Sequence, residues 1–253
     1  MIERFAQFPR ALASQARLTR VGEIPVLLAH PDWSSPRPVM IWMHGRTANK
    51  EIDPGRYLRW IRAGLAACAI DLPGHGERAL PGWDGPERTP DVLEGVLPEI
   101  DAVVERLRAE PGMFDGSRLG IGGMSAGGMA ALRRLCDPHP FRCAAVEATC
   151  GDLGALYAPG KWRHAHDPER VRRLDPSAHL EGWRAIPLLA LHAETDRVVA
   201  WEIQRGFLAR LPGPIEVRTW RDTGAPDEHA GFGRFANDAK NAQVEFLAGG
   251  LAG

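Results

Sequence analysis

Short apolar runs alternate with helix-like spacing along most of the chain. The runs at 24–29, 39–43 and 65–70 are continuously apolar and lack the polar alternation of a half-exposed strand. They predict strands covered on both faces. Between the last two, 57–64 has the pattern of a short amphipathic helix. The clearest helix spans 89–110, where Leu93, Val96, Leu97, Ile100, Val103, Val104 and Leu107 recur at helical spacing, Thr89 can cap and Pro90 suits the first turn. Pro98 inside that stripe predicts a kink or a late start. A strand at 118–123 leads into a glycine-rich turn, and a helix at 126–135 stops before Asp137-Pro138. Further strands are expected at 143–149, 186–193 and 215–220, and a last helix at about 234–247.

This alternation predicts an α/β fold, a doubly wound and mostly parallel sheet with helices on both faces. The first strands follow one another too closely for helical crossovers, so the leading edge is expected to be antiparallel. The stretch from 150 to 185 is longer than an ordinary strand–helix connection. Its two helix starts, Asp167-Pro168 and Asp175-Pro176, predict a short helical lid at about 151–185. The chain is read as one domain over 1–253 with that insertion.

Composition narrows the function classes. Of 253 residues, 44% are hydrophobic and 25% charged, as in an ordinary globular protein, and the net charge is -1. No positive field exists to hold a nucleic-acid backbone, and no apolar run approaches the roughly 18 residues of a membrane helix. Residues 1–20 carry Glu3, Arg4, Arg10 and Arg17 and do not read as a secretory signal. Cys68, Cys136, Cys143 and Cys150 form no C-x-x-C pair and are expected to be small buried hydrophobes. The expectation is a cytoplasmic protein with neither a nucleic-acid nor a membrane partner; its oligomeric state is left open.

The strongest chemical signal is Gly123-Met124-Ser125-Ala126-Gly127, flanked by Gly122 and Gly128, between a predicted strand and a predicted helix. A tight turn there lifts a serine hydroxyl above the carboxyl edge of the sheet, at a helix N-terminus that favours developing negative charge. A dinucleotide site is the rival, since Gly120-Ile121-Gly122 opens the turn, but its fingerprint wants glycine or alanine where Ser125 stands, and no P-loop string occurs. A serine needs a base and an orienting acid. His229 follows the last predicted strand and precedes the last helix, so its loop opens on the same sheet edge as Ser125. Asp196, just beyond the penultimate strand, is the leading acid, with Glu194, Asp222, Asp227 and Glu228 as alternatives.

With these three residues placed, the chain resembles the α/β-hydrolases over about 24–247. The order Ser125, Asp196, His229 is the order of that fold. The segment from Met40 to Arg46, ending His44-Gly45-Arg46, resembles its oxyanion strand, and Asp71-Leu72-Pro73-Gly74-His75-Gly76 resembles the loop after the next strand. The nearest likeness is to dienelactone-hydrolase-like and prolyl-oligopeptidase-like serine esterases. The resemblance implies an oxyanion hole made by the backbone N–H groups of Arg46 and Ala126, and an acyl-enzyme mechanism without cofactor or metal. The expected substrate is a small-molecule carboxylic ester or thioester. A peptidase or amidase of the same fold, or a non-catalytic binding protein on that scaffold, is the alternative. The serine nucleophile departs from the cysteine of dienelactone hydrolase, so that enzyme's substrate does not carry over. His44 and His75 read as loop-shaping residues. The basic lid, with Lys161, Arg163, Arg170, Arg172, Arg173 and Arg184, reads as a solvated face before an anion site, and Trp162 and Trp183 are candidate acyl-pocket walls.

Overall fold

The computed structural model describes residues 10–158 and 166–252. In chain order its strands are β1 (Ala16–Val21), β2 (Ile24–Ala29), β3 (Arg37–Met43), β4 (Ala66–Ile70), β5 (Phe114–Met124), β6 (Phe141–Glu147), β7 (Leu188–Ala193) and β8 (Ile215–Trp220). They form one sheet in the order β1-β2-β4-β3-β5-β6-β7-β8. β2 is antiparallel to both β1 and β4, and every other neighbouring pair is parallel. The helices are α1 (Arg10–Ala13), α2 (Pro54–Arg62), α3 (Thr89–Arg108), α4 (Ala126–Arg134), α5 (Leu153–Leu156), α6 (Pro168–Leu174), α7 (Trp201–Leu208) and α8 (Ala236–Gly250).

The continuous apolar runs are explained by two cores, one on each face of the sheet. Along β3, Val39, Ile41 and Met43 enter the core shared with Val96 and Ile100 of α3 and with Leu132 of α4. The alternate residues Met40 and Trp42 enter the other, with Trp60 of α2 and Leu247 of α8. A strand whose successive side chains both meet helices has no solvent face to mark with polar residues.

The structure departs from the pattern at identifiable places. Helix α3 runs unbroken through Pro98 and starts at Thr89, not later. Pro98 lies on the exposed face, as does Glu94, whose carbonyl loses its N–H donor there but stays open to solvent. The apolar pattern does not predict strand β1, because ARLTRV is half-exposed and mixes charge with apolar residues, as suits an edge strand. Helix α7 is not predicted either: its N-cap, Ala200, offers no side-chain cap, and Gly206, a poor helix former, lies inside it. Of the two helix starts in the expected lid, Asp167 caps α6 by accepting from the Glu169 and Arg170 N–H groups. Asp175 starts only a 3-10 turn, its carboxylate divided between Ser177, Leu153 and Gly154. Residues 159–165, which include Lys161, Trp162 and Arg163, lie outside the described residues. Among the described residues no helix is long and apolar enough to cross a membrane. All four cysteines are buried and free. Burial pushes the thiols of Cys68, Cys136 and Cys143 up to about 12.

Candidate active site

Strand β5 ends at Met124 and helix α4 begins at Ala126, leaving Ser125 as the single residue between them. Its backbone sits at φ 50 and ψ -119. A non-glycine residue there costs about 1–3 kcal/mol and persists only where the surroundings over-determine it. Those surroundings are visible. The Ser125 N–H donates to Glu147 O at 2.9 Å, and Ser125 O accepts from Met129 N–H at 2.9 Å and Thr149 Oγ1 at 2.7 Å. A Cβ added at Gly123 would lie 2.6 Å from Met43 O, and one at Gly127 2.6 Å from His44 O. Strand and helix converge so closely that only glycine fits on either side of the serine.

The structure brings Ser125, Asp196 and His229 together. His229 Nδ1 lies 2.8 Å from Asp196 Oδ2, and His229 Nε2 lies 2.9 Å from Ser125 Oγ. A carboxylate only accepts, so in a neutral imidazole Nδ1 carries the proton and Nε2 is left to accept from the serine hydroxyl. Asp196 is buried in the turn after β7, where Oδ1 accepts from the Val198 and Val199 N–H groups at 2.8 and 2.9 Å. Beneath it His192 donates from Nε2 to Val199 O at 2.8 Å. Burial lowers the pKa of His192 below its ordinary value, so it stays neutral beside the acid.

The alternative acids have other partners. Glu194 accepts from Thr219 Oγ1 and Arg221 on β8 and the residue after it. Asp227 accepts the His229 N–H at 2.9 Å, and Glu228 accepts the Thr223 N–H at 3.0 Å, so both shape the histidine loop. Asp222 adopts a positive φ of 53 in the turn that opens it.

Arg46 and Ala126 both flank Ser125, lining with it one small recess. Among the described residues no backbone acceptor is found for either N–H. The loop carrying Arg46 is held from below. His44 donates from Nδ1 to Gly45 O at 2.7 Å and accepts from the Leu72 N–H at 3.0 Å, tying the end of β3 to the loop after β4. In that loop the fully buried Asp71 accepts from the Lys50 N–H at 2.8 Å, Lys50 Nζ at 2.9 Å and the Glu77 N–H at 2.9 Å. Burial pushes the Asp71 carboxyl up, but these hydrogen bonds outweigh it and hold it well below the usual carboxylate range. His75 donates from Nδ1 to Pro73 O at 2.9 Å. Both histidines thus have backbone partners.

A cavity of about 860 Å³ opens in front of Ser125 and His229. Trp42, Met124 and Phe232 give it apolar walls, and two ion pairs form its floor. Arg56 makes a two-pronged pair with Glu147 at 2.7 and 2.8 Å, joined by Gln243, and Lys240 pairs with Asp53 at 2.9 Å. The sequence carried no signal for this floor, because Arg56, Glu147 and Lys240 come from α2, β6 and α8 and meet only in the fold. The described basic residues of the expected lid, read from the sequence as a solvated face, do not line this cavity. Arg170 pairs with Asp91 and Glu94 on α3, Arg172 with Glu169, and Arg184 donates to Phe141 O at 2.5 Å. Trp183 is a core residue packed edge-on against Phe207, not a wall of this cavity.

Residues 94–219 match the model of the prolyl oligopeptidase family. Esterase YjfP of Escherichia coli is 26% identical over 200 residues, covering 71% of this chain and 77% of the esterase. Among solved structures, TT1662 from Thermus thermophilus is similar with a TM-score of 0.73 at 21% identity, covering 94% of this chain and 98% of that one. A puromycin-hydrolyzing peptidase of Mycobacterium tuberculosis has a TM-score of 0.71 at 18% identity, covering 94% of this chain but 39% of the peptidase. Esterase 2 of Thermogutta terrifontis has a TM-score of 0.69 at 17% identity, covering 94% and 96%.

Proposed function

Because the chain belongs to the α/β-hydrolase superfamily, on its prolyl-oligopeptidase-like side, and is a serine hydrolase of that fold, we propose that it cleaves a carboxylic ester or thioester through an acyl-enzyme on Ser125. The observation that carries this reading is the unbroken hydrogen-bond chain from Ser125 Oγ through His229 to Asp196. His229 Nε2 takes the hydroxyl proton as Ser125 Oγ bonds to the carbonyl carbon. The negative charge that forms on the carbonyl oxygen is received by the N–H groups of Arg46 and Ala126, a donor pair in which each member is worth about 2.7–4 kcal/mol of transition-state stabilisation. The imidazolium, held by Asp196, gives the proton to the leaving oxygen or sulfur. Water then attacks the acyl-enzyme with His229 again as base, releasing the acid and restoring the serine.

The matched family model is that of a peptidase family, and what supports ester over peptide cleavage is the share of each relative that this chain matches. The esterase at 26% identity is matched over 77% of its length, whereas the chain spans about two-fifths of the peptidase it resembles. The test is direct. A fluorophosphonate probe labels the wild-type protein and not Ser125→Ala, and the variant loses at least about 10⁴-fold in p-nitrophenyl acetate hydrolysis. Equal labelling of the two proteins removes Ser125 from the mechanism. Faster turnover of an aminoacyl anilide than of the ester would make the protein a peptidase.

A further inference from the structure

Two spaces of very different size meet at Ser125, and the stereochemistry of acyl transfer assigns one reaction partner to each. The large cavity, about 860 Å³, is lined by His229 and not by Ala126. The small recess, about 10 Å³, is lined by Ala126 and not by His229. Ser125 and Arg46 line both. Once Ser125 has attacked, the tetrahedral carbon holds three other groups. The oxyanion points at the Arg46 and Ala126 N–H groups, and the leaving atom must lie within reach of the proton on His229 Nε2. The leaving group therefore extends into the space that His229 lines, and the acyl substituent is left with the recess beside Ala126.

Beyond Arg46, Ser125 and Ala126, that recess is walled by Thr89, Met129, Leu156, Tyr157, Val198 and Val199. Met129, Leu156 and Val199 are buried and pack into the core that α4 and α5 share. A space of about 10 Å³ holds roughly one water molecule. A methyl group is about as large as a water molecule, and a longer chain directed at Met129 and Leu156 has to displace packed side chains. The large cavity is the reverse. Its ion-paired floor sets two cations, Arg56 and Lys240, against two carboxylates, Glu147 and Asp53, and the rest of its lining adds one charge of each sign, Arg46 and Asp227, so its formal charges balance.

We propose that the substrate is an acetyl ester of a bulky, uncharged alcohol or phenol, with Leu156 and Met129 setting the limit on acyl length. This rests on the acyl-enzyme reading of Ser125. In a p-nitrophenyl ester series, kcat/KM falls at least about tenfold from acetate to butyrate and further to hexanoate, the range one or two misfitting methylenes produce. Leu156→Ala, which opens the recess, recovers about tenfold of the butyrate-to-acetate ratio; Met129→Ala replaces it if that variant does not fold. With the acyl group held at acetyl, 1-naphthyl acetate shows a lower KM than phenyl acetate. Butyrate or hexanoate turned over by the wild type as fast as acetate overturns the proposal, and so does a folded Leu156→Ala with an unchanged ratio. The two readings fail separately. Absence of Ser125 labelling by fluorophosphonate sinks the acyl-enzyme itself, whereas labelled, active protein with a long-chain preference sinks only the acetyl assignment.

Discussion

Ser125 and His229 meet across one hydrogen bond of 2.9 Å, yet the segments that carry them differ in almost every physical respect. The serine turn is buried, both its backbone groups are bonded to the core, and glycines on either side leave no room for a single added carbon. The histidine loop at 222–231 is largely exposed and is shaped by local side-chain contacts, Glu228 to Thr223, Thr223 to Ala225 and Asp227 to His229. Asp196 belongs with the serine: it is buried, with one oxygen spent on backbone and the other on His229. The nucleophile and the acid are thus positioned by close packing, and the base by a loop that can be altered without touching the core.

The comparison can be broken at its hinge. Asp196→Asn keeps an oxygen for the Val198 and Val199 N–H groups but no longer fixes the His229 tautomer, so kcat should fall by about 10³ to 10⁴-fold while the melting temperature changes little. A large loss of stability instead would make Asp196 a structural residue. Next in size is a matched pair of substitutions. Gly127→Ala drives a methyl against the carbonyl oxygens of Met43 and His44, and urea unfolding should show a loss of about 3 kcal/mol, the upper end of ordinary overpacking costs. Glu228→Ala removes one half-exposed contact in the histidine loop and should cost no more than about 1 kcal/mol, with a few-fold drop in kcat/KM. Equal effects from the two would erase the distinction between packed turn and adjustable loop.

The smallest effect is the pH dependence of stability. Burial lowers the pKa of His30, His75, His139 and His192, His139 to about 4, so these rings stay neutral in the folded protein after the unfolded chain has begun to take up protons near pH 6.5. The unfolded state then binds more protons, and stability falls as pH drops below about 6.5. The buried thiols act at the other end. Their raised pKa values favour the neutral form, and stability falls as pH rises above about 9, where unfolded cysteines ionise. Melting temperatures should therefore form a plateau between these limits. His192→Asn should flatten the acid limb slightly; an unchanged acid limb would mean that the ring beneath Asp196 titrates alike in both states.

How far the molecule can be read without coordinates depends on how local each constraint is. The runs at 39–43 and 65–70 reveal strands covered on both faces because every residue in them is buried in one of the two cores. Gly123 to Gly127 reveals a serine turn because only glycine tolerates that backbone convergence. Strand β1 and helix α7 escape because neither has a strong pattern of its own. Pro98 misleads, since its effect depends on whether the face it occupies is wet.

The amino-acid order alone is enough for the layered α/β architecture, the antiparallel leading edge and the short list of candidate site residues, since periodicity and turn chemistry act between near neighbours. It ranks Asp196 ahead of Glu194, Asp222, Asp227 and Glu228 without excluding them, and gives no sign of the Arg56–Glu147 floor or of the unequal spaces on either side of Ser125. Those were decided by distances between residues as far apart in the chain as 56 and 243, which only the packed sheet and its two helical layers set.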